Sequence, residues 1–515
     1  MYQVKILWAD DEIDLLKPHI LFLEAKGYQV TTAVSGNEAL NLVQEEDFDI
    51  IFLDENMPGM TGLDALVEIK KIKKSIPVVM ITKSEEEYIM EEAIGGEISD
   101  YLIKPVNPNQ ILLSIKKNLD EKRLVHEHSN HAYQKEFREI SMRLGDRLDF
   151  DEWVQLYKDL VYWDLKLGSS SSDGMMEILQ TQKKEANQQF CKFIENNYRD
   201  WMKDGEDKPL LSHQVFEKEI LPELGNRPVF VFVVDCLRFD QWKVMQQEIA
   251  SFFNTEKEDC YYSILPTTTQ YARNALFSGL MPSDIQKKFP NEWKDEDDDE
   301  SKNNSEEFYL QELLKRKGAN IKLKYNKIIT LDHAKRMVDN LHHYFQNDLN
   351  TIVYNFVDAL SHARTDTKII RELAEDEKAY RSLTKSWFTH SPFFEMLKQI
   401  SEKDAVVYIT TDHGSVKVDE PSQMVSDKSV NNNLRYKVGK NMDYKNADVM
   451  EVKNPDDIKL PKSNFHSKYV FAKESSFFAY KNNFNHYAKY YKDTFQHGGI
   501  SMEEVIVPLI KLKRK

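Results

Sequence analysis

Two sets of residues in this 515-residue chain have the types and spacing that phosphoryl chemistry needs. The first is Asp10, Asp11, Asp54, Thr82 and Lys104. Phosphorylating a carboxylate takes a nucleophilic Asp, a divalent cation to gather oxygens, and a positive side chain to hold the phosphoryl group. Asp54 is the candidate nucleophile. Asp10 and Asp11 beside it would crowd carboxylates that repel unless Mg2+ binds. Lys104 can neutralise the phosphoryl charge. Thr82 can hydrogen-bond a phosphoryl oxygen and move when it arrives.

The second set is Asp235, Asp358, His362, Asp412, His413 and His497. Carboxylate and neutral imidazole are standard zinc ligands, and there are enough here for two ions. Two metals about 3.5–4 Å apart clamp the attacking and leaving oxygens of an in-line phosphoryl displacement. A hydroxyl on a metal loses its proton readily, so a threonine of the loop ILPTTTQYARNALFSGLMP (264–282) is a candidate nucleophile. No Ser-His-Asp or Cys-His pairing is evident, which favours phosphoryl over acyl transfer. Arg238 and Arg273 flank the set and can hold phosphate oxygens bidentately, the alternative being ion pairs within the domain. Tyr271 can stack on a base or simply pack.

These residues need elements that bring them together. Residues 1–118 alternate short apolar runs with helical patterns: VKILWAD (4–10), YQVTTAV (28–34), FDIIFLD (48–54), IPVVMIT (76–82) and DYLIKP (100–105). Strands apolar throughout are buried on both faces, so these predict a doubly wound α/β domain with a five-stranded parallel sheet. All five residues of the first set then sit at one sheet edge. Residues 119–220 are charged, poor in Gly and Pro, and apolar at helical spacing, as in FDEWVQLYKDLVYWDLKL; they predict a helical bundle, with GSSSSDG (168–174) as a loop. Residues 221–515 return to strands: PVFVFVVD (228–235), TIVYNFVD (351–358), DAVVYITTD (404–412) and EEVIVPLI (503–510). The first three each end on an Asp, and strand C-termini are where open α/β sheets build sites. KDEDDDESKNNS (294–305) reads as a solvated loop. The expected division is 1–119, 120–220 and 221–515.

Composition narrows the functions. Apolar residues make up 41% and charged residues 30%, enough for sizeable cores, and the formal net charge of -16 disfavours a module that grips duplex DNA. Three cysteines, Cys191, Cys236 and Cys260, with no CxxC, fit a reducing compartment and no disulfide scaffold. No signal peptide and no apolar run near 18 residues is apparent, so a cytoplasmic location is expected.

The first set resembles the receiver domains of two-component response regulators over about 120 residues. DEN-MPGM (54–60) is similar to their DxxMPxM segment, and Lys104-Pro105 to their fifth-strand signature. The resemblance implies that Asp54 is phosphorylated by a sensor histidine kinase, that the Asn56 carbonyl completes the Mg2+ shell, and that Tyr101 is the switch aromatic. It also implies a homodimer on phosphorylation, through a face at about residues 85–119.

The second set resembles the alkaline-phosphatase superfamily in order and spacing. That family has a first-strand Asp, a nucleophilic Thr or Ser ten residues before a Gly, a DxxxH, a DH pair and a late His. Thr269 lies ten residues before Gly279, with Thr268 the runner-up. The resemblance implies one zinc on Asp358, His362 and His497, and another on Asp235, Asp412, His413 and Thr269. HGGISMEEVIVPL (497–509) is similar to the ending of the PglZ subfamily. A receiver joined to a PglZ domain by a helical bundle resembles a group of regulators linked to type IX secretion. That layout implies a phosphodiesterase acting on short or cyclic oligonucleotides. The other reading is a catalytically silent zinc scaffold that binds a sigma factor or a secretion component when phosphorylated.

Overall fold

The computed structural model describes residues 4–73, 76–83, 98–168, 173–203, 205–295, 302–367, 371, 374, 376–426, 430–462 and 466–515, with only the backbone for 120–132, 134, 173, 364 and 366. The chain forms two compact units, Met1–Gln134 and Lys135–Lys515.

The first unit is a five-stranded parallel sheet. Its strands are β1 (Lys5–Ala9), β2 (Gln29–Ala33), β3 (Ile50–Asp54), β4 (Val78–Thr82) and β5 (Asp100–Ile103), in the order β2–β1–β3–β4–β5. The expected doubly wound architecture is the one observed. One core packs Leu7, Ile51, Leu53 and Met80 under α2 (Gly36–Glu45) and α3 (Gly62–Ile72). The other packs Trp8, Phe52, Val79 and Ile81 against Leu23 of α1 (Lys17–Ala25), Ile111 and Ile115. The helices start where their caps say. Ser35 accepts from the Glu38 N–H at 3.3 Å, and Thr61 with Asp64 forms a capping box. Gly62 is required by proximity: a Cβ there would lie 2.1 Å from the Asp54 carbonyl oxygen. Residues 84–97, which include the first part of the expected dimer face, lie outside the described residues.

No backbone break marks the boundary expected near 119. Helix α4 runs from Pro108 to Gly145. It is followed by α5 (Phe150–Gly168) and α6 (Asp173–Trp201); residues 169–172 of the expected loop lie outside the described residues. From Lys135 on, these helices belong to the same compact unit as the C-terminal domain. Aromatic packing explains this. Trp153 meets Phe190 at 5.3 Å between centroids, and Trp201 meets Tyr262 of the C-terminal sheet at 5.4 Å.

The C-terminal sheet has six strands: β6 (Val229–Val234), β7 (Phe253–Tyr262), β8 (Leu323–Ile328), β9 (Leu349–Tyr354), β10 (Val406–Thr410) and β11 (Ile506–Arg514). The order is β7–β11–β10–β6–β9–β8. β10, β6, β9 and β8 are parallel; β11 is antiparallel to β10 and β7. Registry aligns Thr410 with Val233, and Val234 with Tyr354. The C-termini of β6, β9 and β10 therefore end side by side. Two expectations shift. Asp358 does not end a strand: β9 stops at Tyr354, and Asp358 lies in the first turn of α9 (Phe356–Asp366). Glu503 and Glu504 precede β11 in a helical turn, Met502–Val505, capped by Ser501. The other labelled helices are α7 (Phe239–Ile249), α8 (Glu306–Arg316) and α10 (Glu377–Thr389).

Candidate functional site

In the first unit, β1 and β3 carry their acids to one edge. Ligand atoms of Asp10, Asp11 and Asp54 lie within 4.8 Å of one another. The Lys104 ammonium reaches Asp54 at 2.8 Å and Asp10 at 2.9 Å. Asp10, Asp54 and Thr82 are buried, and the Thr82 hydroxyl donates to Glu55. Burial pushes the Asp54 carboxyl up from its ordinary range; Lys104 opposes this, and Asp10 adds to it. Asn56 follows β3 in the adjoining loop, and Tyr101 is 49% exposed. An all-oxygen set with a neighbouring ammonium suits a hard divalent cation.

In the second unit, two clusters form at the aligned strand ends: Asp235, Asp412 and His413, and Asp358, His362 and His497. Asp235 directly follows β6. The next residue, Cys236, has a φ of 66°, a left-handed conformation rare for a residue with a side chain. This turn lets the N–H groups of Cys236 and Leu237 reach Asp412 Oδ1 (3.4 Å) and Thr411 Oγ1 (3.0 Å). The DxxxH pair works because residues four apart share a helix face: His362 Nε2 lies 3.5 Å from Asp358 Oδ1 on α9. The His413 and His497 rings stack at 4.3 Å, joining the clusters.

Hydrogen bonds set the histidine tautomers. His413 Nδ1 faces the Gly414 carbonyl at 3.0 Å, and His497 Nδ1 faces the Thr267 carbonyl at 3.2 Å. A carbonyl only accepts, so each Nδ1 carries the proton and each Nε2 offers a lone pair. His413 Nε2 points at Asp235 (3.8 Å) and Asp412 (3.7 Å); His497 Nε2 points at Asp358 (3.6 Å). Burial pushes the His497 imidazolium down to about 4, with His413 adding to the effect. Burial also lowers His413, against Asp235. Neutral rings are the metal-binding form.

The carboxylates divide. Burial and the neighbouring Asp235 push Asp412 up to about 8. Burial would raise Asp235 too, but Arg273 and His413 hold it below the ordinary range. Asp358 is raised by burial and by Asp235. Asp358 Oδ1 and Asp412 Oδ2 are buried with no hydrogen-bond partner. Orphaned carboxylate oxygens beside imidazole lone pairs are what a missing cation would leave, so these residues fit divalent metals. Asp358, His362 and His497 could hold one ion, and Asp235, Asp412 and His413 the other.

This makes a pH prediction. Metal-free Asp412 releases its proton only near pH 8 when folded, but near 4 when unfolded. Between those values the folded state holds the extra proton, so stability falls as pH rises, by up to about 1.4 kcal/mol per pH unit. Below about pH 6.5 the lowered His413 and His497 contribute the opposite slope, so denaturant titrations of the chelator-treated chain from about pH 7 to 8 should show this fall, and Asp412→Asn should flatten it. An unchanged slope in Asp412→Asn would refute the assignment.

Thr269 begins the turn Thr269–Arg273. Its hydroxyl lies 3.2 Å from His413 Nε2 and 3.4 Å from Asp235 Oδ1. The Thr268 hydroxyl is buried without a partner. Neither arginine is idle. Arg273, 1% exposed, donates to Asp235 (2.7 Å) and Glu306 (2.6 Å) and stands 3.7 Å from Asp412. Arg238 is not brought to the clusters: its guanidinium pairs with Asp240 and with Glu377 (3.1 Å), the ion-pair alternative. Tyr271 packs among Trp293, Tyr436 and Tyr469, with its hydroxyl 3.2 Å from that of Tyr469. Residues 296–301 of the acidic loop lie outside the described residues, but its end is no bystander: Asn303 donates to the Thr269 carbonyl at 2.9 Å.

Several supporting residues escaped the sequence reading. Thr267 accepts from the Gly498 N–H at 3.0 Å and donates to the Gly499 carbonyl at 2.9 Å. Glu504 accepts from the Gly499 N–H at 2.9 Å and pairs with buried Arg435 at 2.6 Å. A Cβ at Gly414 would lie 1.9 Å from the Glu503 carbonyl oxygen, so the strand-end turn and the 497–505 segment touch backbone to backbone. The HGG-S-xEE pattern held a signal for Glu504; nothing local pointed to Arg435 or Glu306.

Comparison with known proteins finds three family matches in chain order. Residues 6–116 match the response regulator receiver domain, 123–202 the PorX response regulator linker domain, and 215–512 the BREX system PglZ alkaline phosphatase-like domain. Response regulator SaeR of Staphylococcus aureus (strain USA300) is 35% identical over 121 residues, 24% of this chain and 53% of SaeR. Transcriptional regulatory protein ResD of Bacillus subtilis (strain 168) is 32% identical over 114 residues, 22% of this chain and 47% of ResD. The chain thus spans about half the length of these curated relatives. Among solved structures, the chemotaxis response regulator CheY4 of Vibrio cholerae is 34% identical over 23% of this chain and 100% of its own, with a TM-score of 0.21. A CheY-like receiver from Methanospirillum hungatei JF-1 is 29% identical over 23% of this chain and 96% of its own, with a TM-score of 0.23. With more than half of its length in the PglZ match, preceded by receiver and linker in order, the chain belongs to the PglZ alkaline phosphatase-like family as a response regulator of the PorX type.

Proposed function

We propose that this response regulator is a zinc-dependent phosphodiesterase acting on short or cyclic oligonucleotides, with Thr269 as nucleophile and phosphorylation of Asp54 as its input. The observation that carries the reading is the Thr269 hydroxyl, 3.2 Å from His413 Nε2 and beside Asp235. Zinc bound there would acidify that hydroxyl and gather the phosphate oxygens. The chain's own residues do the rest. Asn303 holds the Thr269 carbonyl, fixing the direction of the hydroxyl. Arg273 keeps Asp235 ionised, and Thr267 and Gly414 present the imidazole lone pairs. A terminal phosphate would need further cations for its extra charge. Arg238 and Arg273 are both committed to carboxylates, which supports a diester substrate. Hydrolysis of bis-p-nitrophenyl phosphate, lost in EDTA and restored by zinc, is the expected result. Stoichiometric zinc with no turnover on any phosphoester would overturn the enzyme reading and leave a scaffold.

In the receiver, Asp54 would accept the phosphoryl group from a sensor histidine kinase. Mg2+ would sit on Asp10, Asp11, Asp54 and the Asn56 carbonyl, with Lys104, Thr82 and Tyr101 reading the change. Beryllofluoride should shift the wild-type chain towards a dimer in sedimentation and leave Asp54→Ala unmoved. Equal behaviour of the two would sink this input. The three cysteines are buried free thiols, and among the described residues no helix is long and apolar enough to cross a membrane. The free thiols support a cytoplasmic protein. The family likeness supports a role in type IX secretion, with a sigma factor or a secretion component as a partner to test.

A further inference from the structure

Helix α6 carries Lys183, Asn187, Cys191 and Glu195 at intervals of four, one winding stripe along the helix. Each makes a polar contact with the C-terminal domain. Lys183 reaches Glu377 at 2.9 Å, and Glu377 in turn holds Arg238, three residues beyond Asp235. Glu195 pairs with Lys473 at 3.3 Å. The two central residues grip the segment that begins at His497. Asn187, 8% exposed, accepts from the Met502 N–H at 2.8 Å and donates to the Glu503 carboxylate at 2.9 Å. The Cys191 thiol donates to the Ile500 carbonyl at 3.2 Å.

We infer that Asn187 is a positioning residue for His497, and that the α6 stripe is a strut through which the linker sets the geometry of the metal-type cluster. The segment 497–503 is short, and its middle is pinned at Ile500, which donates to the Ala472 carbonyl at 2.9 Å and accepts from the Glu474 N–H at 2.9 Å. Its front is fixed by Thr267 and Glu504, which bond Gly498 and Gly499. Its rear is fixed by α6. The Glu503 carbonyl is also the atom that abuts Gly414, next to His413. A shift of α6 would therefore reach His497 from one side and the His413 turn from the other. An amide suits the central position because it donates to a carboxylate and accepts from an N–H at once.

The test swaps those roles. In full-length, chelator-treated protein, Asn187→Asp sets a carboxylate against Glu503 while keeping the acceptor for Met502. Hydrogen exchange at 497–505 should quicken at least about tenfold, with strand β10 unchanged. Adding Glu503→Gln gives a new amide facing the new carboxylate, and exchange should return to the wild-type rate. A second readout is zinc titration, which rests on the zinc reading of the cluster. One of two sites should weaken about 10–100-fold in Asn187→Asp and recover in the double variant. Unchanged exchange at 497–505 in Asn187→Asp, or a general acceleration that Glu503→Gln does not reverse, overturns the inference. Should wild-type protein bind no zinc, the metal reading falls, and the exchange arm alone still decides the role of Asn187.

Discussion

Thr269→Ala should lose essentially all phosphoester turnover while still binding metal through the six Asp and His donors. The substitution removes the hydroxyl that faces both His413 and Asp235 and leaves all six Asp and His donors in place. Loss of a nucleophile costs at least about 10³-fold in kcat. Thr269 is only half-buried, so stability should change by no more than about 1 kcal/mol. Thr269→Ser, which restores a hydroxyl, should recover part of the rate. Thr268→Ala is the control with the opposite expectation. The Thr268 hydroxyl is buried without a partner, so deleting it is neutral or mildly stabilising and leaves turnover intact. Steady-state kinetics on bis-p-nitrophenyl phosphate with metal analysis of each variant decides between them. Turnover surviving Thr269→Ala and lost in Thr268→Ala would move the nucleophile by one residue.

Arg273→Ala destabilises the second unit by about 3 kcal/mol. A buried ion pair as such is weak evidence of stability, but breaking one leaves a buried charge uncompensated, at about 3–5 kcal/mol. Arg273 lies between two carboxylates, Asp235 and Glu306, each at most 1% exposed. Glu306 keeps Lys327 at 3.3 Å and the Tyr325 hydroxyl, which places the expectation at the low end of that range. The damage also reaches the site, because Asp235 loses the guanidinium that keeps it ionised. Urea unfolding in excess chelator measures the effect free of metal stabilisation. Arg273→Met combined with Glu306→Gln should recover part of it, since no buried carboxylate is then left alone on that side and the partly exposed Lys327 ammonium keeps the Asn303 carbonyl at 2.9 Å. A loss under about 1 kcal/mol in Arg273→Ala would show the pair to be solvated. In either case metal affinity should fall at the Asp235 side only.

The pH behaviour of Asp412 and the cost of losing Arg273 share one origin. Three carboxylates, two at strand ends and Asp358 in the first turn of α9, converge where burial has stripped away water. One arginine neutralises one of them, and Asp412 answers by keeping its proton. Cations at the two clusters would resolve the same conflict, so metal removal should expose the pH slope and metal addition should erase it.

Much of this was legible in the sequence. The five receiver residues sit at strand ends because apolar runs of five to seven residues announce buried parallel strands, and chain order places their C-termini together. The six metal-type residues were legible for the same reason, even though Asp358 turned out to sit on a helix: four-residue spacing to His362 puts both on one face wherever the helix begins. Local pattern carries such information because hydrogen-bonded strands and helices repeat at fixed periods. Tertiary structure alone decided the rest. Thr269 faces the cluster and Thr268 does not, because a turn of the chain rotates adjacent side chains apart. Arg238 and Arg273 look alike in sequence, yet one pairs away from the cluster and the other at its heart. Asn187 meets Glu503 across 316 residues of chain. No periodicity encodes such pairings: they are set by which surfaces exclude water together, and that is fixed only when the whole chain has packed.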